Sequence, residues 1–276
     1  PATAGDPLRI TLDERLQTLA ESRLADVGPA SALVAIRPST GAIVAAANGP
    51  GNDGYNMATY GRFAPGSTFK SVSSLALLRA GLTPSSPVPC TSSIVVDGKR
   101  FENYDDYPSG ALGTVPLRTA IANSCNTAVI SQRGRVHGDD LAQAAATLGL
   151  GVDHDLGFPA YFGEVTKPSS ETEAAADLIG QGTVVASPMA MATVIASVQA
   201  GHTVVPRLVD SVDVSVPDGV EPLTKQEDSE LRELLRAVVT SGSGVGLLDV
   251  PGPPVIAKTG TAEFDRGGKV LTHAWM

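Results

Sequence analysis

The chain has 276 residues, enough to bury a sizeable core as one large domain or two closely joined subdomains. Its 42% hydrophobic and 18% charged residues exclude a disordered polymer. A net charge of −9 without any cluster of Lys and Arg argues against nucleic acid as a partner. No apolar run reaches the ~18 residues that a membrane span needs.

The chain opens at Pro1 without a start methionine, and Ala2–Pro7 lacks the character of a signal peptide. It therefore reads as a fragment whose upstream part, an anchor included, has been removed. Thr11-Leu-Asp-Glu14 has the spacing of a capping box and predicts a helix over Leu12–Asp26, stopped by Gly28-Pro29. Ser31–Arg37 and Gly41–Ala47 read as two apolar strands around a turn, adjacent and antiparallel in a central sheet. A long apolar helix is expected from Ser67, closed by Gly81. Cys90–Gly113 reads as a loop-rich excursion with a short strand at Ile94–Val96, and Thr114-Val115-Pro116 as the start of a short helix. Tyr161–Asp177 is polar and reads as a mobile surface segment.

Further helices are expected at Leu141–Leu148, at Pro188–Ala200 with Ser187 as N-cap, and at Lys225–Thr240 behind a second capping box, Thr224-Lys-Gln-Glu227. Val255–Glu263 and Val270–Trp275 read as strands around the polar turn Phe264–Lys269. Strands at both ends with helices between predict an α+β fold, a central antiparallel sheet flanked by helices and carrying a mainly helical insertion. The two cysteines, Cys90 and Cys125, form either one disulfide or two free thiols.

The stretch Gly61–Lys70, GRFAPGSTFK, is where chemistry enters. It nearly copies a phosphate-binding loop, but Ser67 stands where the loop lysine belongs. Ser67 and Lys70, three apart on one helix face, bring an amine towards a hydroxyl at a helix N-terminus, where N–H groups and dipole favour an oxyanion. A lysine takes the serine proton only if burial or a second cation depresses its pKa, so a further lysine is required from elsewhere. Lys258-Thr259-Gly260-Thr261 supplies it within an apolar stretch, and Gly260 leaves room for a ligand along the strand. Between them lies Ser124-Cys125-Asn126. An S-x-x-K match alone is expected by chance roughly 0.5 times in such a chain, but the three motifs in this order only roughly 0.002 times.

Ser67-x-x-Lys70, Ser124-x-Asn126 and Lys258-Thr-Gly260 resemble the three motifs of penicillin-binding proteins and serine β-lactamases. Pro65–Lys70, Ser124–Thr127, Ile179–Gly182, Ala257–Glu263, Arg9–Asp13 and His273-Ala-Trp275 are similar to the transpeptidase domain of high-molecular-mass penicillin-binding proteins, over essentially Leu8–Met276. The resemblance implies that Ser67 is acylated, Lys70 is its base, Ser124 relays a proton and Lys258 supplies the second positive charge. It implies further that Asn126 holds the substrate amide, that Thr259 and Thr261 bind its carboxylate beside Gly260, and that the N–H groups of Ser67 and Thr261 form the oxyanion hole.

The implied activity is a D,D-transpeptidase acting on peptidoglycan stem peptides ending in D-Ala-D-Ala and acylated by β-lactams. No cofactor or metal is expected. Cell-wall synthesis proteins are implied as partners, and a membrane only through an upstream anchor, at the extracytoplasmic face of a bacterial cell. A non-catalytic β-lactam sensor and a D,D-carboxypeptidase are the alternatives. A class A β-lactamase is disfavoured, because the asparagine expected four residues after its glutamate is replaced by Pro168, Ala175 and Asp177 after Glu164, Glu171 and Glu173. Relative to the family, the chain is expected to lack a last strand and a C-terminal helix. The turn Gly242–Gly246 reads as a mobile connection, and the four histidines show no zinc spacing.

Overall fold

The computed structural model describes Gly5 and residues 7–276; the Ala2–Pro7 reading lies mostly outside them. The first helix, α1 (Glu14–Leu24), starts later than Thr11 predicts. Its N-cap is Asp13, whose carboxylate accepts from Leu16 N at 3.0 Å. Thr11 cannot cap because its hydroxyl lies 2.8 Å from both the Ile43 and Arg207 carbonyl oxygens, tying the incoming chain to the next ladder.

Strands β1 (Ala32–Ile36) and β2 (Ile43–Asn48) pair antiparallel as the apolar pattern predicts, with a register shift at Ala35/Ile36. A short helix, α2 (Met57–Tyr60), follows. The predicted apolar helix is divided: a 3₁₀ turn over Gly66–Phe69 leads into α3 (Lys70–Arg79), of which every residue from Lys70 to Leu78 is buried. Four helices described below, α6, α8, α9 and the end of α7, lie around it, so α3 is the axis of the core.

The excursion after α3 has more strand than its composition shows. β3 (Pro87–Cys90) pairs with β6 (Gly113–Pro116), and β4 (Ser93–Val96) with β5 (Lys99–Glu102). Thr114-Val115-Pro116 therefore ends a strand rather than opening a helix. Val115 and Thr114 oppose Val88 and Pro89, the half-buried pleat that β-branched residues fit, and α4 (Leu117–Ala122) starts only after Pro116.

The helical insertion continues through α5 (Asn126–Ser131) and α6 (Asp140–Thr147). Within Tyr161–Asp177, expected to be a mobile segment, α7 (Glu171–Asp177) is formed. Its polarity is that of a helix start: Ser170 Oγ accepts from Glu173 N at 3.1 Å, while Ala175, Ala176 and Asp177 are buried. α8 (Pro188–Ala200) and α9 (Lys225–Ser241) follow the sequence closely, with Ser187 capping one and the Thr224/Glu227 box the other.

At the end, β7 (Gly260–Arg266) and β8 (Lys269–Trp275) form a hairpin turned at Gly267-Gly268, tighter than the predicted turn. Val255–Thr259 belongs to no ladder. Its backbone is held by α9 instead, through Arg236 Nη1 to Val255 O (2.8 Å) and Ala257 N to Leu235 O (3.3 Å). The fold is α+β with antiparallel strands, as expected. The hydrogen bonding of those strands is distributed over four two-stranded ladders among the described residues. No helix among them is long and apolar enough to cross a membrane.

Candidate active site

Three connections converge on one point. The 3₁₀ turn presents Ser67 at the mouth of α3, the α4–α5 junction presents Ser124 and Asn126, and the coil entering β7 presents Lys258. Lys70 Nζ lies 2.8 Å from Ser67 Oγ, 2.9 Å from Ser124 O, 3.2 Å from Ser124 Oγ and 2.6 Å from Asn126 Oδ1. Lys258 Nζ lies 2.9 Å from Ser124 Oγ and donates to Thr259 O at 2.9 Å. Ser124 Oγ thus bridges two buried lysines, while Ser67 remains partly open to solvent.

The electrostatics follow from that burial. Loss of water drives the Lys70 pKa well below the ordinary lysine value, and the neighbouring Lys258 lowers it further. Burial brings Lys258 down to about 7. An amine whose hold on its proton is weakened in this way, against a serine hydroxyl and one hydroxyl away from a second weakened amine, can accept the Ser67 proton and pass a proton on through Ser124. Among the described residues no carboxylate hydrogen-bonds Ser67 or Lys70. Glu171 pairs with Arg133 at 3.1 Å, and Glu173 bonds Ser169.

Backbone fit sets the approach of the other elements. A Cβ on Gly260 would lie 2.7 Å from Thr68 N, so only glycine lets β7 pass this close to the turn that carries Ser67. Gly180, in the left-handed region at φ 72°, accepts from Gly66 N at 2.8 Å, and a Cβ there would lie 2.0 Å from Gly66 O. Asp177 Oδ1 holds the same turn by accepting from Thr183 N at 2.8 Å. The Gly180-Gln181-Gly182 turn therefore backs the Gly66–Phe69 turn that carries Ser67, as well as leading towards α8. Gly180→Ala is expected to lower the melting temperature by several degrees and the β-lactam acylation rate at least ~10-fold, by thermal melting and stopped-flow acylation.

Every residue singled out in the three motifs lies in this cluster or on its rim; Thr261 is exposed on β7 beside Gly66. Asn126 has both ends of its amide engaged within the protein, Nδ2 donating to Glu102 O at 2.9 Å. Sequence reasoning missed Ser243, whose hydroxyl lies 2.6 Å from Thr259 Oγ1, in the turn read as a mobile connection. It also missed Asn103, whose Oδ1 accepts from Asn126 N at 2.8 Å and Thr127 N at 3.2 Å. Neither sits in a motif, and both reach the site only through long-range folding. Cys90 and Cys125 are joined in a disulfide.

A sequence model of the penicillin binding protein transpeptidase domain matches residues 31–276. The chain belongs to that family. This penicillin-binding protein domain is 29% identical over 285 residues to the peptidoglycan D,D-transpeptidase PbpA of Mycobacterium tuberculosis, covering 88% of this chain and 57% of that protein. It is 27% identical to the peptidoglycan D,D-transpeptidase MrdA of Acinetobacter baumannii, covering 95% and 45%. The chain thus spans about half the length of these curated relatives. Among solved structures it is similar to penicillin-binding protein A from M. tuberculosis in its penicillin G acyl-enzyme complex. The TM-score is 0.78 at 26% identity, over 94% of this chain and 67% of that one. It is also similar to Pseudomonas aeruginosa PBP2 in complex with WCK 5153, with a TM-score of 0.79 at 25% identity over 97% and 69%.

Proposed function

We propose that this penicillin-binding protein domain is the catalytic part of a peptidoglycan D,D-transpeptidase, extending over residues 8–276, that works through a Ser67 acyl-enzyme. The observation that carries the reading is the unbroken run of hydrogen-bonding contacts from Ser67 through Lys70 and Ser124 to Lys258. Ser67 Oγ attacks the carbonyl of the penultimate D-Ala of a stem peptide while its proton passes to Lys70. The N–H groups of Ser67 and Thr261 receive the oxyanion. Ser124, backed by Lys258, delivers a proton to the leaving nitrogen, and the terminal D-Ala departs. An amine of a neighbouring stem then attacks the ester carbonyl, the new N–C bond replaces the C–Oγ bond, and the proton lost by that amine passes by way of Lys70 to Ser67 Oγ. Asn126 orients the substrate amide, and Thr259 and Thr261 bind the terminal carboxylate along the strand opened by Gly260.

The names of the relatives and the acyl-enzyme character of the structural neighbours support both the substrate class and acylation by β-lactams. A peptidoglycan synthase complex among those neighbours supports cell-wall synthesis proteins as partners. A peptidoglycan substrate would put the work at the outer face of a bacterial membrane, with an upstream anchor holding the domain there. No cofactor or metal enters this scheme.

The test is turnover of a D-Ala-D-Ala peptide or a thioester donor with and without an amine acceptor. Aminolysis product growing with acceptor concentration is expected. Release of D-Ala to water alone would make the domain a carboxypeptidase. A penicillin adduct with no peptide turnover would make it a sensor.

A further inference from the structure

The Cys90–Cys125 bond joins the end of β3 to the residue between Ser124 and Asn126, and both cysteines are fully buried. Ser124 is one of three non-glycine residues at positive φ among the described residues, at 59°, a conformation that persists only when its surroundings fix it. That backbone aims Ser124 O and Oγ, and with Asn126 Oδ1 it supplies three of the four oxygens around Lys70 Nζ. A second set of links runs parallel to the sulfur bridge. Thr91 N donates to Thr127 Oγ1 at 3.0 Å, Thr127 Oγ1 donates to Thr91 O at 2.7 Å, and Asn103 ties Thr91 O to the start of α5. The strand end at Cys90 is therefore the anchor against which the Ser124–Asn126 turn is set, and the disulfide is its one covalent tie.

We propose that the Cys90–Cys125 disulfide is a positioning element of the reaction, holding Ser124 and Asn126 in register with Lys70 so that Ser67 is acylated at full rate. This rests on the proposed role of the Ser67 cluster. Making the bond removes two electrons and two protons from the cysteines, delivered to a disulfide donor such as oxidised glutathione, which leaves as two thiols. Full acylation is thereby coupled to an oxidising compartment. Without the tie, the turn relaxes away from its left-handed conformation, water enters around Lys70, and the amine regains part of its affinity for a proton.

The experiment compares the native chain, Cys90→Ala, which leaves Ser124-Cys125-Asn126 intact, and Ser67→Ala. Measurements are the second-order rate of benzylpenicillin acylation from pH 5 to 10, at a temperature well below melting, and the melting temperature itself. Cys90→Ala is expected to acylate ~10-fold more slowly, with the limb on which the rate rises with pH displaced towards higher pH by about one unit. A lower melting temperature with unchanged rate and limb would make the bond a structural staple only and overturn the proposal. If Cys90→Ala does not fold, the native chain reduced by dithiothreitol, with both thiols verified by alkylation and mass, is measured the same way. Loss of the folded state there too would make the bond a folding requirement and equally overturn it. Acylation of Ser67→Ala at the native rate would instead sink the reading of the site, independently of the disulfide.

Discussion

Incubated with benzylpenicillin, the native chain is expected to gain the mass of one penicillin and hold it, while Ser67→Ala gains none. The reason lies in how the turn is built. The 3₁₀ conformation of Gly66–Phe69 leaves Ser67 Oγ facing Lys70 Nζ at 2.8 Å, while α3 behind it is buried from Lys70 to Leu78. Alanine removes only the attacking oxygen and leaves Lys70 its contacts to Ser124 and Asn126, so the variant should fold. Loss of the acylated nucleophile typically costs at least ~10⁴-fold, which takes the adduct below detection in intact mass. Retention of the adduct should follow from the same surroundings. With no carboxylate hydrogen-bonded at Ser67 or Lys70 among the described residues, the ester lacks the carboxylate base with which a class A β-lactamase activates water. Rapid turnover of penicillin by the native chain would defeat this account, and a persistent adduct on Ser67→Ala would move the nucleophile elsewhere.

Lys258→Met is expected to slow acylation ~10²–10³-fold while raising the melting temperature by a few degrees. Lys258 is 3% exposed, and burial holds its pKa at about 7 against an ordinary value of 10.5. Below pH 7 the lysine is charged both folded and unfolded, so the full cost of burying that charge, roughly 5 kcal/mol, weighs on the fold. Between pH 7 and 10.5 the unfolded chain binds one proton more than the folded chain, so native stability rises with pH and the cost fades. Methionine, of similar length and uncharged, avoids the cost but gives up the contacts to Ser124 Oγ and Thr259 O, leaving a smaller net gain. The stability advantage of the variant should therefore be largest at or below pH 7 and vanish towards pH 10, as thermal melting across that range reads directly. A variant less stable than the native chain at pH 6 would show that Lys258 contributes more through its hydrogen bonds than its charge costs.

The cost identifies what kind of residue Lys258 is. Two lysines buried side by side oppose folding, and the surrounding oxygens of Ser124, Asn126 and Thr259 offset that only in part. Chemistry that needs one amine neutral and another nearby accounts for such an arrangement. Packing does not.

The three motifs taken together and in order, with the family they resemble, picked out Ser67, Lys70 and Lys258, because each motif is a short local run and an isolated lysine in an apolar stretch is unfavourable without a purpose. Local signals likewise held wherever a segment satisfies its own backbone: the Thr224/Glu227 box, Ser187 before Pro188, and the apolar alternation of β1 and β2. They failed where a partner far along the chain competes. Thr11 has a capping spacing, but its hydroxyl is taken by carbonyls of β2 and of Arg207, 196 residues away. Thr114–Pro116 pairs with β3 rather than opening a helix, and Val255–Thr259 looks like a strand until α9 takes its backbone. Ser243 and Asn103 carry no local pattern and join the site only because the turn after α9 and the end of the β4–β5 hairpin meet it. The disulfide stood open for the same reason: two cysteines fix a composition, whereas pairing them takes the approach of β3 to the start of α5. Sequence determined which chemistry the chain carries, through residue types at short spacing; tertiary structure alone decided which groups surround it, because hydrogen bonds and burial across tens of residues depend on the packed whole.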